Sequence, residues 1–305
     1  MLFRSCKAMI SNVHSLSAER KGVLFAITAH LIWGAMAPYL GLIRFINPLE
    51  IAVHRGLWSI PLAGLVGWYL GLAPEAFRAL KNPKLMAMLA LTSGTIFLNW
   101  VGYIWCIQNG RALEASLGFF INPLLNVAAG YFFLHERFNR AQLWAIALAA
   151  LAVILLSITT GVFPVAGLML GVSFCTYGLL RKLIPVSPVT GFFMEVAILA
   201  MPLLALDAWL IGHGGVQFGN GTFNTLMLMG AGAFTTGGLI FYTLGVKALR
   251  YSTAGLIQYI TPSLIFLTAI FIFGEPIGFW KLFSFALIWL ALAIYSSSSL
   301  RAPEA

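Results

Sequence analysis

Charge is what this chain has least of. Asp, Glu, Lys and Arg together make up 9% of its 305 residues, against about 25% in a soluble domain. A chain this poor in charge could not cover its own surface with polar groups in water, so lipid is its expected solvent. Aspartate occurs once, at Asp207, which excludes an intramembrane aspartyl dyad, and HExxH is missing as well. Cysteine is scarce too: Cys6, Cys106 and Cys175 have neither metal-ligand nor redox spacing. No metal, no cofactor and no enzymatic activity are expected. The phosphate-binding pattern G-x-x-x-x-G-K-[ST] does not occur, so ATP is not the direct energy source for any work the chain does.

What is present is hydrophobic, at 60% of residues. A helix needs about 20 apolar residues to cross the hydrocarbon core. Such runs fall near 22–43, 50–70, 85–108, 112–134, 142–160, 162–181, 189–211, 225–246, 251–273 and 279–297. The expected fold is all-α, a polytopic membrane protein of ten transmembrane helices. Asn47-Pro48, Asn82-Pro83, Ser187-Pro188 and the Gly-rich 212–221 separate the runs. The polar segment 1–21, and a first run too long for a signal-peptide core and without an A-x-A site, point to a retained first span.

The net charge of +9 reads as topology, not as nucleic-acid binding, because Lys and Arg sit in the connectors. With the N-terminus cytoplasmic, that side holds 14 of them: Arg4, Lys7, Arg20, Lys21, Arg78, Lys81, Lys84, Arg137, Arg140, Arg181, Lys182, Lys247, Arg250 and Arg301. The other side holds Arg44, Arg111 and Lys281, with Arg55 inside a span. This bias places both termini inside, in agreement with an even number of crossings.

An offset of 139 residues lays the fourth run on the ninth. Ala115, Leu117, Ile121, Pro123, Leu125, Phe132 and Glu136 meet Ala254, Leu256, Ile260, Pro262, Leu264, Phe271 and Glu275, and 91–152 shares 14 identities in 62 positions with 230–291. The expected organisation is a cytoplasmic segment 1–21, a five-helix repeat 22–160, a second repeat 161–297 and a cytoplasmic tail 298–305. Five crossings are an odd number, so the second repeat enters the membrane inverted, as in many secondary carriers whose site lies at mid-membrane between the halves.

Pro123 and Pro262 each fall about sixteen ångströms into their spans at 1.5 Å per residue. A proline there frees the carbonyl four residues back, of Phe119 and Gln258, and both are expected helix breaks in a cavity wall. Asn122, Asn126, Gln258, Tyr259 and Thr261 are the polar groups beside them. Intramembrane charge is costly and suggests function. Arg55 follows Pro48 by seven residues and Glu195 follows Pro188 by seven; the two either pair directly or each meets the cavity or a local partner. His30 and His54 are the other buried titratable groups, more often structural than proton-handling. Glu114 and Glu136 are expected to face loops at span ends. Trp33-Gly34, Asn99-Trp100 and Tyr177-Gly178 put aromatics away from the interfaces, while Gly67-x-x-x-Gly71 and Gly167-x-x-x-Gly171 suit close helix contact.

The run Glu114-Ala-Ser-Leu-Gly-Phe-Phe-Ile-Asn-Pro-Leu-Leu-Asn126 with Glu136-Arg-Phe138 resembles the RarD (chloramphenicol-sensitivity protein) branch of the EamA group of drug/metabolite transporters. Trp33-Gly34, Glu50-Ile51, His54-Arg55, Asn99-Trp100, Tyr177-Gly178-Leu179, Arg181-Lys182, Thr190-Gly191, Glu195 and Gln258-Tyr259-Ile260 with Pro262 agree with it. The resemblance implies ten helices, a bacterial inner membrane and a permease for a small organic metabolite or drug. It implies a substrate site near Trp33, Arg55, Asn99, Trp100, Asn122, Tyr177, Glu195, Gln258 and Tyr259. Expected partners are that substrate and the bilayer, with no nucleic acid; a homodimer is compatible with the class. The rival readings are an intramembrane enzyme, for which no catalytic constellation is evident, and a sensor or scaffold, for which the short tail leaves little room.

Overall fold

The computed structural model describes residues 17–109, 112–160, 165–214, 216–272 and 278–301, and within them every regular element is a helix. Arg111, Glu275, Cys6 and the ends of the chain lie outside the described residues, as does the side chain of Glu114. The helices are α1 (Ala18–Gly41), α2 (Pro48–Tyr69), α3 (Ala73–Leu80), α4 (Pro83–Gln108), α5 (Ala112–Leu134), α6 (Arg140–Thr160), α7 (Val165–Leu183), α8 (Pro188–His213), α9 (Thr222–Ala248), α10 (Tyr251–Ile257), α11 (Ile260–Phe271) and α12 (Phe279–Arg301). Each of the ten apolar runs is matched by one of these rods, with α10 and α11 sharing the ninth.

Seven of them are long and apolar enough to cross a membrane on length and composition alone: α1, α4, α5, α6, α8, α9 and α12. His54 and Arg55 dilute the apolar character of α2, and Arg181 with Lys182 that of α7. The broken ninth rod falls short because its pieces have 7 and 12 residues.

The punctuation residues work as caps. Asn47 Oδ1 accepts from Leu49 N at 2.9 Å, Asn82 Oδ1 from Leu85 N at 3.1 Å, and Ser187 Oγ from Thr190 N at 3.2 Å. In each case proline follows the cap and takes the first helical position, where its missing N–H costs nothing. Asn139 and Gln142 form a reciprocal capping box at α6, with 2.9 and 3.1 Å bonds.

Packing joins α1 to α9 and α11, α2 to α8 and α9, α4 to α7 and α8, α5 to α7 and α10, and α6 to α12. The α5–α7 crossing is the closest: a Cβ added to Gly118 would lie 2.7 Å from the Gly167 carbonyl oxygen. Small residues permit such approaches where the apolar solvent gives helices no other reason to associate. Gly67 and Gly71 do not act this way. Nothing lies within 4 Å of a Cβ at Gly71, whose φ of +67° serves the turn into α3.

The short α3 lies at 116° to α2 and was not anticipated. Glu75 ties it to the start of α8, accepting from Ser187 N at 2.9 Å and from the Ser187 and Thr190 hydroxyls at 2.5 Å. Burial alone would raise the Glu75 pKa; the hydrogen bonds from Ser187 and Thr190, with Arg78 nearby, outweigh it and hold the carboxyl below its ordinary value. A depressed folded-state pKa stabilises above the unfolded value and loses that contribution as pH falls through the folded one. The wild type is therefore expected to melt above Glu75→Gln at pH 7, with the gap closing below about pH 4. Melting curves of both proteins across that range check this, and a gap independent of pH would contradict it.

Candidate functional site

Helices α1, α2, α4, α5, α7 and α9 and the α10–α11 break surround a cavity of about 400 Å³, within the size range of small-molecule sites. Its walls include His30, Trp33, Met36, Ala37 and Leu40 of α1, Ala52 and Arg55 of α2, and Ile96, Asn99, Trp100 and Tyr103 of α4. Opposite are Gly118, Phe119 and Asn122 of α5, Leu170, Gly171 and Phe174 of α7, and Thr235 and Leu239 of α9, with Gln258, Thr261, Pro262 and Ile265 beyond the α10–α11 break. α1 and α4 contribute their second halves, and α2, α5 and α7 their first halves. The cavity therefore fills the half of the bundle toward the α1–α2 connection. The tightly packed pair α6 and α12 supplies none of its lining.

Polar side chains in this wall are held in place. Asn122 Nδ2 donates to Gly171 O at 2.8 Å while its Oδ1 accepts from Asn126 at 3.2 Å. Asn99 Nδ2 bonds Leu170 O at 2.9 Å and Ser173 Oγ at 3.0 Å. Arg55 Nε donates to Thr235 Oγ1 at 3.0 Å, and its guanidinium carbon stands 5.9 Å from the Trp100 ring centre. The Thr261 hydroxyl donates to the His30 carbonyl at 3.2 Å, so the 3.0 Å contact of His30 Nδ1 with the same oxygen requires the proton on Nδ1. His30 thus fastens α1 to α11.

Below the cavity the bundle is closed. Trp33, Phe174, Tyr242 and Tyr177 form a chain of ring contacts with centres 5.2–6.0 Å apart. Tyr251 donates to Cys175 O at 2.6 Å, and Gln258 Nε2 to Tyr242 at 3.3 Å. Beyond this floor Glu195, 1% exposed, accepts from Thr92 at 2.6 Å and Tyr177 at 3.1 Å and pairs with Arg181 at 3.5 Å. Arg181, wholly buried, also donates to Pro188 O at 3.0 Å.

Of the residues expected in a site, Trp33, Arg55, Asn99, Trp100, Asn122, Gln258 and Pro262 line one cavity, whereas Tyr177, Glu195, Tyr259 and Pro123 do not. Arg55 and Glu195 do not pair; each has found a local partner. Tyr259 is fully buried, its hydroxyl donating to Phe120 O at 3.1 Å. The expected break at Pro123 is corrected: α5 runs through it, fastened on one side by Gly118 and Asn122 against α7 and on the other by Asn126 against Gly255 of α10. At the ninth rod the chain does break, one turn before Pro262, where Gln258 N, Tyr259 N and Thr261 N tighten to three-residue bonds of 3.1 Å. His54 lies apart from the cavity, 3.7 Å from Asp207 and stacked on Phe218 at 4.3 Å.

Glu136 does not face a loop either. It accepts from Tyr251 N at 2.5 Å, from Ser252 N at 3.1 Å and from the Ser252 hydroxyl, capping α10. Thr235 was missed as a wall residue, and Phe119 and Thr261 were named beside the prolines but not among the substrate-site residues, although the 139-residue offset could have found all three. Ile96 and Thr235, Trp100 and Leu239, Phe119 and Gln258, and Asn122 and Thr261 are four pairs at that spacing with both members in the wall.

Residues 20–158 match the profile of the EamA-like transporter family. Over 278 residues the chain is 40% identical to Protein RarD of Salmonella typhi, a match covering 90% of this chain and 94% of that one. It is 29% identical over 285 residues to the Chloramphenicol-sensitive protein RarD of Pseudomonas aeruginosa, covering 92% and 95% of the two chains. A solved crystal structure superposes with a TM-score of 0.74 at 19% identity, over 93% of this chain and 100% of that one.

Proposed function

The chain belongs to the RarD branch of the EamA-like transporter family, and from that premise we propose that this multi-pass membrane transporter is a secondary permease. It moves a small organic molecule across a bacterial inner membrane by alternating access of two five-helix repeats, 22–160 and 161–297. The observation that carries this reading is the cavity of about 400 Å³ between helices of both segments, closed on one side by the Tyr177–Tyr242–Tyr251 floor. The helix contacts support the repeat: exchanging each long rod with the fifth after it turns α1–α9 into α7–α4, α5–α7 into α11–α1 and α2–α9 into α8–α4, all of which pack together. Tyr259 touching Phe120, its own mate at 139 residues, is what a pseudo-two-fold axis near the broken helix requires.

With both termini cytoplasmic, as the Lys and Arg distribution favours, the cavity faces outward. Inversion then specifies the other state. Ala37 and Arg55 line the outer cavity, and their counterparts 140 residues on are Tyr177 and Glu195. In the inward-facing state these two line the inner cavity, so the four residues belong to one site seen in two conformations.

Two single cysteines at equivalent positions, Leu40→Cys and Leu180→Cys, test this in a background lacking the native cysteines. An impermeant maleimide is expected to reach Leu40→Cys from outside and Leu180→Cys from inside, and an adduct at the first is expected to slow labelling at the second. Labelling at 180 that is absent, or that ignores the adduct, would make the cavity a fixed vestibule.

A further inference from the structure

Arg55 is the charge in the cavity wall that no carboxylate among the described residues answers. A guanidinium has five N–H donors. Its Nε is taken by Thr235 at 3.0 Å, and the Trp100 ring lies 5.9 Å from its carbon. Among the described residues the carboxylate ion pairs are His54 with Asp207, Arg181 with Glu195 and Arg250 with Glu136. None involves Arg55, and no Asp or Glu is among the described residues that line the cavity. Both terminal nitrogens are therefore left without an acceptor, in a region where an unanswered charge is costly. Thr235 and Trp100 fix the plane of the group while leaving its fork free, the geometry that takes a carboxylate through two parallel bonds.

We infer that the cavity is built for an organic monoanion with a flat apolar body, its carboxylate held by Arg55. The inference rests on the carrier reading above and names the substrate class of the same site. The charge count decides the class. Among the described wall residues one positive and no negative group neutralise a monoanion, repel a cation, and leave the ammonium of a zwitterion without a counter-charge. Trp33, Trp100, Phe119 and Phe174 supply faces and edges for a ring. The Asn99 and Gln258 side-chain oxygens engage no protein donor among the described residues, so the body of the substrate can carry a hydroxyl or N–H toward them.

Three indoles that differ in charge alone test it: indole-3-acetate, indole-3-acetamide and tryptamine, titrated calorimetrically into the purified full chain in detergent. The acetate is expected to bind about tenfold or more tightly than the acetamide, the worth of a charge-assisted hydrogen bond, and tryptamine weakest of all. Arg55→Gln is expected to erase the preference for the acetate while the unliganded melting curve stays two-state. Should that variant not fold, Arg55→Lys, which keeps the charge without the fork, is expected to retain the order with a smaller gap. Tryptamine or the acetamide equalling the acetate, no binding of any indole up to tens of millimolar, or a preference unchanged in Arg55→Gln would each overturn the inference. Counterflow of labelled indole-3-acetate in proteoliposomes separates the two claims. Binding through Arg55 without exchange removes the carrier and keeps the anion site, whereas exchange of indoles regardless of charge removes the anion site and keeps the carrier.

Discussion

Glu195→Ala is expected to cost about 3–5 kcal/mol, the usual penalty for leaving one member of a buried ion pair without the other. The stranded group would be Arg181, wholly buried. Its guanidinium packs against the bare backbone of Gly191, where an added Cβ would lie 2.0 Å from Nη1. Little folded protein should survive extraction, and what survives should melt well below the wild type. Replacing both members, Glu195→Leu with Arg181→Met, is expected to recover most of that loss, because well-packed apolar side chains commonly substitute for a buried pair at no net cost. The double variant also divides two roles. If Glu195 serves the inner cavity, the recovered fold will exchange substrate poorly; if it only stabilises, exchange returns with the melting temperature. A single variant that melts like the wild type would show that the pair contributes nothing.

Gly118→Ala is expected to be nearly as damaging, although it adds one methyl group. The obstacle is backbone: the new Cβ would stand 2.7 Å from the Gly167 carbonyl oxygen and 3.1 Å from its Cα, and neither can rotate away. Over-packing of this kind costs about 1–3 kcal/mol. Its reach here is longer, because Asn122, one turn on, bonds Gly171 O at 2.8 Å across the same crossing. Pushing α5 from α7 breaks that bond and moves Phe119 and Asn122 out of the cavity wall. Ligand affinity is expected to fall by about tenfold or more, the loss of one well-made polar contact and its geometry. Gly94→Ala is the control, since nothing lies within 4 Å of a Cβ there. Equal affinities for Gly118→Ala and Gly94→Ala would show that the close crossing does not shape the site.

The helices were legible because the apolar runs are long and separated by polar or glycine-rich breaks, three of them a capping residue followed by a proline, at Asn47-Pro48, Asn82-Pro83 and Ser187-Pro188. Which helices form the wall was legible from polar residues at depths where lipid tolerates them poorly and from Trp33 at a depth headgroup anchoring does not explain, and Trp33, Arg55, Asn99 and Asn122 do meet. What could not be read was the choice of partner. Arg55 and Glu195 stand at matched positions, and sequence spacing has no term for the Arg181 that takes Glu195 instead. Equal prolines also met unequal fates: Pro123 is clamped by glycine and asparagine contacts on both flanks, whereas before Pro262 the chain tightens while Gln258 bonds Tyr242 and Tyr259 bonds Phe120 O. On the carrier proposal the side of the membrane on which the cavity lies changes with conformation, and one sequence encodes both states. That proposal accounts for Tyr177, in the floor, and Glu195, beneath it, which carry the same signals as the wall residues.

The carboxylates of Glu75 and Glu136 reach from the earlier part of the chain to the starts of α8 and α10 in the later part. Each holds backbone N–H groups and hydroxyls, not interlocked apolar surface. Apolar contact lies beside both: Ala79 shares a cluster with Ile184 and Val186, and Gly255 packs closely on Asn126. On the carrier proposal these two carboxylates would form a latch on the inner face, one whose polar share a change of a single side-chain atom, Glu to Gln, can tune.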